Sequence, residues 1–160
     1  MMDNNPSSFT QWAHSAIARN QESIPCPECG ASQVEEMNCW EQLGAIIAWE
    51  YQDPALMAVH FLTVACYNLQ HPAQFTDEAL AGLRADLIAH LDEGLTVQEI
   101  RRRAAQHYTA PRRVLKKEAA RRPLLRHWSM TIADVYLPER PQGAAERVKA
   151  WAAAIRNELR

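Results

Sequence analysis

Apolar residues recur along most of this chain at intervals of three and four positions, with polar residues between them. That spacing places the apolar side chains on one face of an α-helix, whereas the apolar positions of a half-buried strand alternate. No segment shows convincing alternation, and no internal repeat or shift in composition marks a second domain. The pattern therefore predicts an all-α protein in which residues 1–160 form a single-domain bundle of about seven helices.

The N-terminal quarter contains one predicted helix and one segment without helical periodicity. Phe9, Trp12 and Ile17 fall at helical spacing, which predicts a helix over residues 8–20. Residues 21–38 contain two prolines, a glycine and two cysteines but no amphipathic stripe. We expect this segment to be irregular and to have no hydrophobic core of its own.

The next two predicted helices should form an antiparallel pair. Asn38 and Glu41 have the spacing of a capping box, which predicts a helix that ends near Glu50. The proline after Asp53 starts the second helix, which is apolar on nearly all sides until the His-Pro pair at residues 71–72 ends it. A helix that is apolar all round belongs at the centre of a bundle.

Five further helices complete the predicted bundle. One lies between Thr76 and Gly94, one runs from Thr96 to a turn at residues 109–111, and three span residues 112–121, 124–137 and 144–159. The residues of the last helix that should face inward are Val148, Trp151, Ala152 and Ile155.

Charge is divided unequally along the chain. Residues 1–100 hold 2 Lys and Arg residues against 14 Asp and Glu residues, and residues 101–160 hold 15 against 5. We therefore expect the two parts to attract each other, within one chain or between two copies in a homodimer. Between Arg101 and Arg126 lie 10 basic residues and 1 acidic residue, and such a block is also typical of a surface that binds nucleic acid or an acidic partner.

The apolar segments are too short for a membrane protein. The longest, residues 55–69, is shorter than the roughly 20 residues of a membrane-spanning helix and contains His60 and Asn68. The first residues have neither the basic nor the apolar region of a secretory leader. We therefore expect a cytoplasmic protein that does not enter a membrane.

The sequence Cys26-Pro-Glu-Cys29-Gly30 has the form of a zinc knuckle, in which a tight turn brings two thiolates to one ion. Two alternatives remain open. A thioredoxin-like redox pair would need a preceding strand and a helix that starts at the first cysteine, and neither pattern is present. Two surface cysteines without a ligand are the other alternative. We predict a structural zinc site.

A structural zinc site takes four ligands, so the chain has to supply two more. Cys39 is the predicted third ligand. The two helices of the predicted pair are joined by a short turn and should run antiparallel, which places Cys39 at the level of Cys66 and, one turn further, of His71. As the fourth ligand we rank His71 first, His60 second and Cys66 third.

His60 has two interpretations. It can be a core histidine held by one hydrogen bond. Alternatively, it can form a second polar or metal site with a residue of the later helix, for which the candidates are Asp134, Thr131 and His127.

Four motifs resemble those of a bacterial family of unknown function. They are CPECG followed by Cys39, VHFLTVACYNLQHP at residues 59–72, WSMTIADV at residues 128–135, and Trp151-Ala152. The similarity covers about residues 25–152. The resemblance implies no activity, but it implies that five residues act as a group, namely Cys26, Cys29, Cys39, His60 and His71.

Three functional hypotheses follow from these residues. The first is a metal-binding interaction module without catalytic activity, in which zinc fixes the irregular segment to the helices. The second is a metal-dependent hydrolase that uses His60, His71 and Asp134 and keeps an open metal position for water. The third is nucleic-acid binding through residues 101–126, which would weaken steeply with salt.

Overall fold

The computed structural model describes residues 23–107 and 110–160 of the chain. Within these residues the protein has seven α-helices and no β-strand, which confirms the predicted all-α class. None of these helices has the length and apolar character that crossing a bilayer requires. The helix predicted over residues 8–20 lies outside the described residues. In chain order the helices are α1 (Cys39–Glu50), α2 (Pro54–Met57), α3 (His60–Gln70), α4 (Asp77–Asp92), α5 (Val97–His107), α6 (Ile132–Val135) and α7 (Ala144–Leu159).

Side-chain caps fix where α1 and α2 begin. The Asn38 side chain accepts hydrogen bonds from the N–H groups of Trp40 and Glu41 at 2.9 and 3.0 Å. The Glu41 carboxylate accepts one from the Asn38 N–H at 2.8 Å, so the predicted capping box is present. Asp53 caps α2 by accepting hydrogen bonds from two N–H groups of its first turn. These caps set the register of the segments that follow.

The prediction of a single long helix after Asp53 is wrong, because the chain forms two helices there. α2 ends at Met57, α3 begins at His60, and Val59 between them has φ −106° and ψ 15°. α2 packs mainly against α1, whereas α3 packs mainly against α4 and α7. The break lets each piece meet a different neighbour and buries Leu56 completely.

The contact between α3 and α7 lies at the centre of the core. Gln70, at the end of α3, is 1% exposed. Its Nε2 donates to the Met130 carbonyl at 2.7 Å, and its Oε1 accepts from the Trp151 indole N–H at 3.3 Å. This side chain therefore joins α3, the loop before α6, and α7. The residues of α7 that were predicted to face inward are all fully buried, namely Val148, Trp151, Ala152 and Ile155.

The described part of the segment before α1, residues 23–38, is irregular as predicted and contains a two-residue turn. The backbones of Val34 and Met37 exchange hydrogen bonds of 3.2 and 2.9 Å across this turn. Its two central residues, Glu35 and Glu36, have φ values of 50° and 64°. This left-handed region is unfavourable for residues with a Cβ atom, so the turn depends on its surroundings.

The basic helix predicted over residues 112–121 is wrong. This part of the chain is extended for most of its length and pairs with the segment before α4. The Val114 carbonyl accepts from the Thr76 N–H at 2.9 Å, and the Lys116 N–H donates to the Gln74 carbonyl at 2.8 Å. Because these long-range hydrogen bonds already satisfy the backbone, the segment does not need helical ones.

The helix predicted over residues 124–137 is also largely wrong, since α6 at its end is the helical part. The Arg126 N–H donates to the Glu28 carbonyl at 3.1 Å. The Met130 carbonyl accepts from the buried side chain of Gln70. Backbone groups that a helix would use are thus bound to distant partners.

Opposite charges from the two parts of the sequence meet along α4, as expected. Asp92 pairs with Arg156 at 2.7 Å and with Arg160 at 2.5 Å. Glu78 pairs with Arg112 at 3.6 Å. Part of the basic C-terminal region is therefore matched by acidic residues of the same chain.

Replacing Gln70 with alanine should destabilise the protein by about 2–4 kcal/mol, because the Met130 carbonyl and the Trp151 indole would lose their partner inside the core. Urea unfolding followed by circular dichroism measures this difference. Gln52→Ala, at an exposed position, is the control and should change the free energy of unfolding by less than about 0.5 kcal/mol. Equal effects of the two substitutions would contradict the bridging role of Gln70.

Candidate metal centre

The CPECG sequence folds into a tight turn that brings two thiols together. The Gly30 N–H donates to the Cys26 carbonyl, and the Cys26 N–H donates to the Ala31 carbonyl, both at 2.9 Å. Gly30 has φ 73°, which glycine adopts without a steric cost. The Ala31 N–H also donates to the Cys29 sulfur at 3.4 Å, a contact that orients the sulfur. The turn thus supplies two sulfur donors to one side of the helical hairpin.

The hairpin of α1 and α3 adds a third thiol and an imidazole. Cys39 is the first residue of α1, and His71 follows the last residue of α3. The His71 Nε2 atom lies 3.4 Å from the Cys39 sulfur and 3.5 Å from the Cys26 sulfur. The donor atoms of Cys26, Cys29, Cys39 and His71 all lie within 4.8 Å of one another. The structure therefore brings together the four residues that the sequence analysis ranked first.

The imidazole of His71 is held in one orientation by Tyr67. The His71 Nδ1 atom lies 2.7 Å from the Tyr67 carbonyl oxygen, and the two rings stack with centroids 4.0 Å apart. A carbonyl oxygen can only accept a hydrogen bond, so Nδ1 carries the proton. In the neutral ring, the lone pair of Nε2 then faces the sulfur atoms, as metal-ligating histidines require.

Hydrogen bonds control the protonation of the metal-free cluster. The hydrogen bond from Cys29, with those from His71 and Tyr67, outweighs burial and lowers the pKa of the Cys39 thiol to about 3. The same hydrogen bond and burial raise the pKa of Cys29. Burial opposes protonation of His71, but its hydrogen bonds to Cys39 and Tyr67 prevail and raise its pKa to about 9. A metal ion that binds here must displace protons, so its affinity falls with falling pH.

These features define a helical protein with a cluster of three cysteines and one histidine that can hold a metal ion. A model described as a family of unknown function (DUF5946) matches residues 24–160. The match covers most of the chain, so the protein belongs to this family, which confirms the predicted membership of a family of unknown function. Comparison with curated proteins and with solved structures yields no match.

His60 lies at the other end of the hairpin and pairs with Glu50. Its Nδ1 atom is 2.7 Å from the Glu50 Oε2 atom, and the side chains are 49% and 1% exposed, respectively. Burial raises the pKa of the Glu50 carboxyl, although the hydrogen bond from His60 opposes the shift. The alternative interpretation, in which His60 forms a second site with Asp134, Thr131 or His127, is therefore wrong.

The other candidate residues also have separate positions. Asp134 is exposed, and its carboxylate accepts from the Thr131 N–H at 2.8 Å as part of a capping box for α6. The residues of the hydrolase hypothesis thus have different partners, since His71 lies in the cysteine cluster and His60 lies beside a glutamate. Cys66 is fully buried outside the cluster, and burial raises the pKa of its thiol.

Two residues that support the cluster, Tyr67 and Glu28, were not predicted from the sequence to do so. The Tyr67 hydroxyl lies 3.6 Å from the Cys39 sulfur. The position of Tyr67, four residues before His71 on one helix face, was a usable signal. The Glu28 carboxylate accepts from the Ala73 N–H at 2.6 Å and so ties the knuckle to the end of α3. No sequence pattern indicated that contact.

Replacing His60 with alanine should destabilise the protein by about 2 kcal/mol at pH 7, because the buried Glu50 carboxylate would lose its partner. The pKa of Glu50 is already raised in the folded protein, and it should rise further in the variant. A raised carboxyl pKa costs stability as the pH rises above the ordinary value of 4.5. The deficit should therefore shrink as the pH falls towards that value, which urea unfolding at several pH values measures.

The control for this experiment is His127→Ala, since His127 is exposed and its removal leaves no buried charge without a partner. Its effect on the free energy of unfolding should be small at every pH. If the loss caused by His60→Ala did not depend on pH, the ionised Glu50 carboxylate would not be its cause.

Proposed function

We propose that Cys26, Cys29, Cys39 and His71 bind one structural zinc ion and that the protein is a non-catalytic binding module. Zinc bonds of about 2.3 Å to sulfur and about 2.1 Å to nitrogen, at tetrahedral angles, separate the two donors by about 3.6 Å. The His71 nitrogen lies 3.4 and 3.5 Å from the sulfur atoms of Cys39 and Cys26. This agreement, in a set of thiolate and imidazole donors, is the observation that carries the proposal.

A complete set of four protein donors favours a structural role. Structural zinc sites are closed in this way, whereas catalytic sites keep a coordination position for water or substrate. Cys29, Cys39 and His71 are also no more than 8% exposed. A buried ion with four protein ligands would have no position at which to activate water.

Zinc would secure a segment that has little apolar surface to bury. Among residues 23–38, Cys29 and Ala31 are the buried ones. Val34 and Met37 are partly buried against the core. The Gln42 side chain adds polar attachments by donating to the carbonyls of Ser32 and Met37, both at 2.9 Å. Because apolar burial is the main force in folding, a segment of this kind gains a fixed position from a cross-link.

The surface beside the cluster supports the binding part of the proposal. Ile24 is 78% exposed and Trp40 is 67% exposed. Both line a cavity of about 420 Å³ next to Cys26 and Cys39. Large apolar side chains gathered at one exposed place are typical of interaction surfaces. The ion would therefore hold in place one wall of a surface suited to a partner.

Elemental analysis of natively purified protein should find one zinc ion per chain, and Cys39→Ser and His71→Ala should each lose most of it. Because the ion links the knuckle to the hairpin, both variants should also unfold at a lower temperature. Cys66→Ser is the matched control, since it removes a buried thiol outside the cluster and should keep its zinc. Full zinc content in both ligand variants would overturn the proposed site.

Cobalt(II) in place of zinc tests whether the site is tetrahedral with thiolate ligands. Four protein ligands in a tetrahedral arrangement should give intense visible absorption and thiolate-to-cobalt charge transfer. Weak visible bands would show a site of higher coordination with bound water, and would contradict the structural role.

A further inference from the structure

A second cavity, separate from the metal cluster, lies between α4, α5 and the extended residues 112–114. Its volume is about 510 Å³, within the range of about 300–1,000 Å³ typical of small-molecule sites. None of the four clustered donor residues lines it. Its apolar walls are formed mainly by Phe75, Ala79, Leu80, Leu83, Ala104 and Val114.

Charged groups of both signs also line this cavity. Asp86 contributes a carboxylate from α4, and Arg103 and Arg112 contribute guanidinium groups. Asp86 is partly buried and accepts no hydrogen bond from any residue that the structure describes. Burial raises the pKa of its carboxyl even though the charges of both arginines oppose the shift. Since the partly buried Asp86 carboxylate has no donor among the described residues, a ligand that brings one would pair with it.

The two cations differ in how firmly they are held. Arg112 donates to the Glu78 carbonyl at 2.7 Å, and its guanidinium lies against Gly82, where an added Cβ would approach it to 3.1 Å. Glycine inside a helix lowers the stability of that helix by about 1 kcal/mol relative to alanine. The close approach of the Arg112 guanidinium explains why glycine is nevertheless present at this position. Arg103 is 58% exposed and lies 4.0 Å from the Glu93 carboxylate. Arg112 is thus fixed, and Arg103 is free to turn towards a ligand.

We propose that this cavity binds a small zwitterion, an α-amino acid with an apolar side chain. The ammonium group of the ligand would pair with Asp86, its carboxylate would pair with Arg103 and Arg112, and its side chain would contact the apolar walls. A ligand with a negative charge alone would be repelled by Asp86 and leave it unpaired. A ligand with a positive charge alone would pair with Asp86 but leave both guanidinium groups with only their own partners, which include Glu78 for Arg112 and Glu93 for Arg103. The charges that line the cavity therefore match a molecule that carries both.

Calorimetric titration of the full chain with L-leucine, L-valine, L-methionine and L-phenylalanine tests this proposal. Two analogues of L-leucine each remove one charge, since leucinamide has no carboxylate and 4-methylpentanoate has no ammonium group. We expect at least one of the four amino acids to bind, and the charge-deleted analogues of leucine to bind about tenfold more weakly than leucine itself or not at all. If none of the four bound at about 10 mM, or if the analogues bound as well as leucine, the proposal would be overturned.

Three substitutions locate the site. Asp86→Asn and Arg103→Gln should each lower the affinity about tenfold, because each removes one partner of the zwitterion. Gly82→Ala should lower it less, because the added methyl group requires the Arg112 guanidinium to shift by only a few tenths of an ångström. The control is Arg101→Gln, an exposed position on α5 that does not line the cavity. Unchanged affinity in Asp86→Asn and Arg103→Gln would place the ligand elsewhere and overturn the proposal.

Zinc content is measured on the same samples. It should be unchanged in the cavity variants, because they leave the cysteine cluster intact. A variant that loses amino-acid binding but keeps its zinc therefore reports on the cavity alone. A variant that loses zinc but still binds the amino acid reports on the cysteine cluster alone.

Discussion

The antiparallel register of α1 and α3 is the constraint on which the rest of the structure depends. The Asn38 cap fixes the start of α1, and the end of α3 lies beside it, so that Cys39 and His71 approach to 3.4 Å. At the opposite end of the same hairpin, Glu50 and His60 approach to 2.7 Å. One register thus places a polar pair at each end of an apolar contact. A shift of one residue in either helix would separate both pairs.

Local sequence signals predicted the parts of the fold that local interactions determine. Capping residues such as Asn38 act within one turn, so their helices could be predicted, and the hairpin register then placed His71 beside Cys39. The extended course of residues 112–121 could not be predicted, because its hydrogen bonds go to residues 74–76. The burial of Glu50 could not be predicted either, since nothing in the sequence shows that an acidic residue at a helix end is buried.

Polar contacts add to the apolar core that joins the knuckle to the C-terminal half, in which Cys29 and Ala31 belong to one buried cluster with residues of α6 and α7. Glu28 uses its side chain to bind the end of α3 and its carbonyl to bind the Arg126 N–H. Asp92 on α4 meanwhile binds two arginines of the last residues. These contacts explain how a chain with strongly divided charge folds compactly, since the acidic helices and the basic C-terminal region neutralise each other where they meet.

The turn at Glu35 and Glu36 has a consequence for the order in which the protein assembles. Tight two-residue turns in the left-handed conformation ordinarily use asparagine and glycine, and glutamate offers no such preference. The sequence of this turn therefore does not favour the left-handed conformation, which depends on contacts such as the hydrogen bond from the Gln42 side chain of α1 to the Met37 carbonyl. With the proposed zinc ion at the cluster, this turn would take its final shape only when the ion ties Cys29 and Cys39 together, so the completed fold would follow the supply of metal.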